Sequence, residues 1–151
     1  MKMDIYILNQ SRYIIDLLDK YNISELAPLK NMKPLENEKL RKQKIDETLY
    51  SGAIGSLLYL AICTRPDIII AVSKAARKSK ETTMEDWENV RRIFRYLKNT
   101  MNFGLKFSGK TSIEAFVDAD YAGDEESRRS STRFIVCMGE TPTSWCSKLQ
   151  H

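Results

Sequence analysis

The chain has 151 residues, 42% hydrophobic and 29% charged, a composition that builds a core and excludes low-complexity or wholly disordered classes. Its only histidine is the last residue, His151, which removes mechanisms that need an internal imidazole, among them Ser-His-Asp and Cys-His catalysis. The net charge is a modest +4, but it is unevenly spread along the chain.

Residues 4–8 alternate in character and predict a short strand almost at Met1, the register expected of a chain that begins inside a larger fold. Ser11 is placed to cap a helix through Tyr21, with Ile14, Ile15, Leu17, Leu18 and Tyr21 on one face. Residues 24–47 hold Pro28, Pro34 and many charges without apolar periodicity, and read as a partly mobile surface connector. A helix resumes near Thr48. Its run SGAIGSLLYLAIC is largely apolar, and Gly52, Gly55 and Ser56 leave a small-residue strip where another element can approach closely.

Thr64-Arg65-Pro66-Asp67 then predicts a helix start, with Thr64 as cap, Pro66 in the first turn and Asp67 at the capping-box position; this helix should run through IIIAVSKAARKSK. Thr83 and Asp86 predict a second capping box. The helix it opens carries Trp87, Val90, Phe94 and Leu97 on one stripe and Arg91, Arg95 and Lys98 on another. After Asn99 the period falls to two, and FGLKFSG, SIEAFVDAD, RSSTRFIVCMG and PTSWCSKLQ read as strands. The fold class is therefore α+β, a helical part followed by a small antiparallel sheet.

Cys63, Cys137 and Cys146 form no C-x-x-C pair, so reduced thiols in an intracellular protein are expected rather than a disulfide framework or zinc ribbon. No stretch approaches the roughly 20 apolar residues of a membrane span, so no membrane partner is expected.

Residues 72–110 hold ten basic and four acidic residues, whereas 111–126 hold six acidic and none basic. A basic block beside an acidic cluster suits a nucleic-acid enzyme with a carboxylate metal centre, and solvated helix faces give the same runs. Asp118 and Asp120 share one face of a strand and could share a hard divalent cation; as turn residues they could equally end the strand in water. An EF-hand loop is not supported, since Ala122 and Arg129 stand at its fifth and twelfth positions. Arg91, Arg95 and Lys98 could follow a phosphate backbone or simply face solvent, and Arg128 and Arg129 in the polar turn before the next strand leave the same choice open.

Taken together, these residues resemble the Pol polyprotein of copia-type LTR retrotransposons at the junction of reverse transcriptase and ribonuclease H. Residues 5–22 are similar to the segment after the polymerase palm, and YSGAIGSLLYLAICTRPDIIIAVS to the family's most recognisable run. WENVRRIFRYLKNT, Asp118-Ala119-Asp120-Tyr121-Ala122-Gly123-Asp124 and Ser144-Trp145-Cys146-Ser147-Lys148 match three further motifs in order.

The resemblance implies the end of the palm and thumb with a connector over 1–47, a helical thumb and connection segment over 48–100, and the first strands of an incomplete RNase H-like domain over 101–151. It implies that Asp118 is the first of the carboxylates that hold Mg²⁺ against RNA–DNA hybrids, with Asp120 and Asp124 secondary. It also implies that the polymerase aspartates and the remaining RNase H carboxylates lie outside this chain. The expectation is a fragment without activity of its own, Asp118 being vestigial, with no Mg²⁺ stably bound. Its partners would be RNA–DNA hybrid or other nucleic acid and the rest of Pol, in the cytoplasm within a virus-like particle or in the nucleus. A non-catalytic nucleic-acid-binding remnant and an inert relic are the alternatives. One departure matters below: Arg133 stands where the family has glycine.

Overall fold

The computed structural model describes residues 4–78, 80–120 and 130–149. They form two compact units, one helical (Asn9–Phe103) and one built of strands, from the flanking residues. The mixture of helices with small antiparallel sheets is the α+β class that the patterning predicts.

The helical unit opens with α1 (Ser11–Lys20), which buries Ile14, Leu17 and Leu18. Ser11 is its first residue rather than its cap, because the Asn9 side chain accepts from the Ser11 amide and hydroxyl. Ile15 points to solvent, off the face assigned to it. Asn22 closes the helix at φ 55, a left-handed conformation asparagine tolerates. The Ile23 amide then bonds back to Leu18 O at 2.7 Å and its side chain is fully buried.

Residues 24–46 include the short α2 (Glu38–Arg41), capped by Asn37, and lie tied to the rest of the unit rather than loose. Asp46 caps α3 (Glu47–Cys63) by accepting from the Thr48 amide at 3.0 Å. Its inner face buries Tyr50, Ala53, Ile54, Leu57, Leu60 and Ala61.

The expected Thr64 cap and Asp67 capping box do not form. Thr64 ends α3, and its hydroxyl donates to Gln10 Oε1 at 2.7 Å. Pro66–Ile68 make a single 3-10 turn before α4 (Ile69–Ala76), which stops four residues short of the expected end. The capping box is lost to Arg65, only 1% exposed. Its Nε and Nη2 donate to the two Asp67 oxygens at 2.9 and 2.7 Å, and Nη1 and Nη2 donate to the Thr100 carbonyl and hydroxyl at 3.0 and 2.6 Å. A two-pronged charged pair outweighs a neutral cap hydrogen bond. The guanidinium also lies over the Tyr96 and Phe103 rings, and the Tyr96 hydroxyl donates to Asp67 at 3.0 Å. Burial, then the Asp67 charge, raises the Tyr96 pKa.

The second capping box forms as read: the Thr83 amide donates to the Asp86 carboxylate at 2.9 Å and the Asp86 amide returns to the Thr83 hydroxyl. The α5 helix (Met84–Asn99) drives Trp87, Val90, Ile93, Phe94 and Leu97 into the core. There Tyr21 stacks on Phe94 with ring centres 5.1 Å apart. The buried Tyr50 hydroxyl donates to Ala75 O at 2.9 Å, and desolvation pushes its pKa up.

In the other unit β1 (Tyr6–Leu8) pairs antiparallel with β2 (Leu105–Phe107). A separate antiparallel sheet has the order β3 (Ile113–Asp120), β4 (Ser131–Met138), β5 (Thr141–Leu149). The β4–β5 turn needs Gly139: φ is +63, and a Cβ there would lie 2.5 Å from Lys110 Cβ. The three cysteines are free thiols, all half-buried. Among the described residues no helix is long and apolar enough to cross a membrane.

Candidate nucleic-acid interface

Three places in the structure bear on function: the basic row of α5, the outer face of α3, and Asp118 on β3.

The α5 row does not stand open to solvent. Arg95 Nε donates to Ala27 O at 2.7 Å, and the Leu29 amide donates back to Arg95 O at 3.0 Å. Lys98 Nζ donates to the carbonyls of Leu26, at 2.9 Å, and Ser24. Arg92, which the sequence reading did not single out, donates to Lys33 O at 2.7 Å. Further along the same face Asn89 bonds both the amide and the carbonyl of Leu35, and Glu85 accepts from the Asn37 amide and from Arg41 Nε. One helix thus grips the main chain of residues 24–37 at steps of three or four residues. Arg91 lies off this row and forms an ion pair with Glu88.

The outer face of α3 is different in kind. Leu49, Gly52, Gly55, Tyr59 and Ile62 recur at helical spacing and all are exposed, Tyr59 at 53% and Ile62 at 64%. No charged residue follows Glu47 in the helix. A Cβ at Gly55 would meet nothing within 4 Å, and at Gly52 only the Tyr21 hydroxyl at 3.5 Å. Tyr59 is steadied by an edge-on contact with Tyr13, ring centres 5.3 Å apart. The small-residue strip is therefore a neutral surface that another molecule can approach to backbone distance. A helix apolar on all sides is ordinarily covered on all sides, and that was the legible signal for this face.

Asp118 stands opposite Arg133 in the β3–β4 register, its side chain 72% exposed. Arg133 Nη1 lies 3.4 Å from Asp118 Oδ2. Among the described residues no three His, Cys, Asp or Glu side chains come together as a metal site would require. A two-cation centre needs several carboxylates, of which the described residues place Asp118 alone, opposite a guanidinium. Asp124, Arg128 and Arg129 lie outside the described residues, as does the side chain of Asp120.

This α+β chain aligns along 95% of its length with retrovirus-related Pol polyproteins. It is 37% identical to that of transposon TNT 1-94 of Nicotiana tabacum and 40% identical to that of transposon RE1 of Arabidopsis thaliana, spanning 12% and 10% of their lengths. An uncharacterized mitochondrial protein of Arabidopsis thaliana is 33% identical over 95% of the chain and 61% of its own length. The chain belongs to the family of transposon Pol polyproteins and spans about a tenth of the length of the two Pol relatives. No family model matches it, and no solved structure does.

Proposed function

We propose that the chain is the part of a copia-type Pol polyprotein that joins the end of reverse transcriptase to the start of an RNase H-like domain. In this reading it contacts RNA–DNA hybrid without catalytic activity of its own. The parent activity would be RNA-directed DNA synthesis with cleavage of the RNA strand. The observation that carries the contact is the outer face of α3, long, neutral and glycine-lined, in a chain whose relatives are Pol polyproteins.

A-form helices present a wide, shallow minor groove lined by sugars and 2′-hydroxyls, which is read mostly by shape and by contacts to 2′-hydroxyls and phosphates. A flat helix face without charges fits that surface. Gly52 and Gly55 would let the helix backbone come close to the sugars, and Tyr59 and Ile62 would pack against them. Arg128 and Arg129 are proposed as added phosphate contacts. The face of α3 spans about 20 Å, at 1.5 Å per residue, enough for several sugars in succession.

Gly55→Leu tests this directly. The added side chain enters open space and relieves a helix of glycine, so stability should rise by about 0.5–1 kcal/mol. Affinity for a short RNA–DNA hybrid should nevertheless fall at least tenfold. Unchanged affinity would remove α3 from the interface.

The absence of catalysis is argued from Asp118. In a complete centre Mg²⁺ would activate water at the scissile phosphate. Here Arg133, where the family pattern has glycine, meets the one described carboxylate of that motif. The purified chain should give no Mg²⁺-dependent cleavage of the hybrid; cleavage lost on Asp118→Asn would contradict the proposal. One observation favours the inert relic as a second reading: Ile113 and Val117 on one face of β3 are 76% and 72% exposed, a sheet face left uncovered.

A further inference from the structure

We infer that the α5 row of Arg92, Arg95 and Lys98 is a second surface for the phosphodiester backbone, covered by the chain's own residues 24–35, which compete with nucleic acid for it. The inference rests on the reading of the chain as a nucleic-acid-binding piece.

The acceptors on residues 24–33 are all main-chain carbonyls: Ser24, Leu26, Ala27 and Lys33. Nothing in these bonds depends on side-chain identity. Each pairs a full positive charge with a neutral oxygen. A phosphate oxygen offers the same donors an anion, and hydrogen bonds with both partners charged are the shorter and stronger kind. The row thus holds a weaker ligand than it is chemically suited to hold.

The covering segment is held by polar bonds to α5 more than by buried apolar contacts. Between Ser24 and Asn37 it has no helix or strand, and Glu25, Ala27, Pro28, Lys30, Asn31, Lys33 and Pro34 face solvent. Leu26 and Met32 pack partly buried against the core, and Asn89 holds Leu35. Few buried apolar contacts and solvent-exposed backbone bonds mark a segment that opens more readily than the packed core beneath it. The segment carries Lys30 and Lys33 against a single carboxylate, Glu25, so it is net positive and holds the row by its carbonyls, not by acidic side chains.

The Leu29 amide, bonded to Arg95 O, reports the closed state. In the unaltered chain its hydrogen exchange should quicken severalfold on saturation with a short RNA–DNA hybrid. Exchange that is unchanged or slowed would overturn the inference. A second arm loosens the segment without touching the three cations, by Met32→Ser with Asn89→Ala. Affinity for the hybrid at 0.1 M salt should then rise about three- to tenfold. The slope of log K against log salt should steepen by about 2 to 3, given three cations at roughly 0.9 per phosphate contacted, and Arg95→Ala in that background should reverse part of both changes. Faster Leu29 exchange with neither change would also overturn it. The two readings fail separately: loss of the Gly55→Leu effect removes the α3 contact, whereas an unmoved salt slope in the loosened variant removes only the covered row.

Discussion

The helical and sheet units treat their apolar residues in opposite ways. In the helical unit Ile14, Leu57, Leu60, Val90, Phe94 and Leu97 come from three helices into one cluster with almost no exposure. In the sheet unit Ile5, Ile7 and Leu8 near β1, and Ile113, Phe116 and Val117 on β3, remain largely in water. Leu105 is the one buried large apolar side chain among the described residues of that unit. Burial supplies most of the favourable free energy of folding. The helical unit therefore carries the stability, and the sheet unit presents surfaces that a covering partner would complete.

The largest expected effect tests that contrast by truncation. Phe94→Ala should cost about 3–5 kcal/mol in urea unfolding, whereas Val117→Ala on the sheet should stay within about 0.5 kcal/mol. Comparable losses at the two sites would abolish the distinction between the units.

Next in size is the Arg65 knot. Arg65→Met strands the Asp67 carboxylate and the Thr100 groups and should cost about 3 kcal/mol. Arg65→Lys keeps the charge but loses the fork, and should recover only part of the loss. Full recovery by lysine would show that charge alone is at work.

Smallest is Tyr50. Its buried hydroxyl has a raised pKa, so the folded state keeps its proton longer than the unfolded chain does. The stabilisation is complete below the unfolded value of about 10 and is lost as pH rises from there toward the folded value. Tyr50→Phe should cost about 1 kcal/mol at neutral pH through the lost bond to Ala75 O. It should also flatten the fall in stability above pH 10; an unaltered alkaline slope would place that titration elsewhere.

Local signals in the sequence proved the most faithful guides to this fold. The Thr83 and Asp86 capping box spans four residues, and the period-two runs that became β2 to β5 needed no distant partner to be read. Thr64 misled because its hydroxyl is taken by Gln10, 54 positions away, and because Arg65, which claims Asp67, is itself fixed on Thr100, 35 positions on, where no local rule looks. The segment 24–37 looked free for the same reason: its partners on α5 lie 48 to 74 residues downstream. Helical spacing put Arg95 and Lys98 on one face, but spacing does not tell whether a cation meets water, phosphate or its own backbone. The Gly52 and Gly55 strip was legible as a place of close approach; that it faces outward came only from the fold.

The central claim is that the neutral outer face of α3 meets RNA–DNA hybrid. Backbone amide shifts recorded while a short hybrid is added to the intact chain test it most directly. The account predicts the largest changes at Gly52, Gly55 and Ile62, saturating together. Changes confined to the sheet unit, or none at all at low salt, would contradict it.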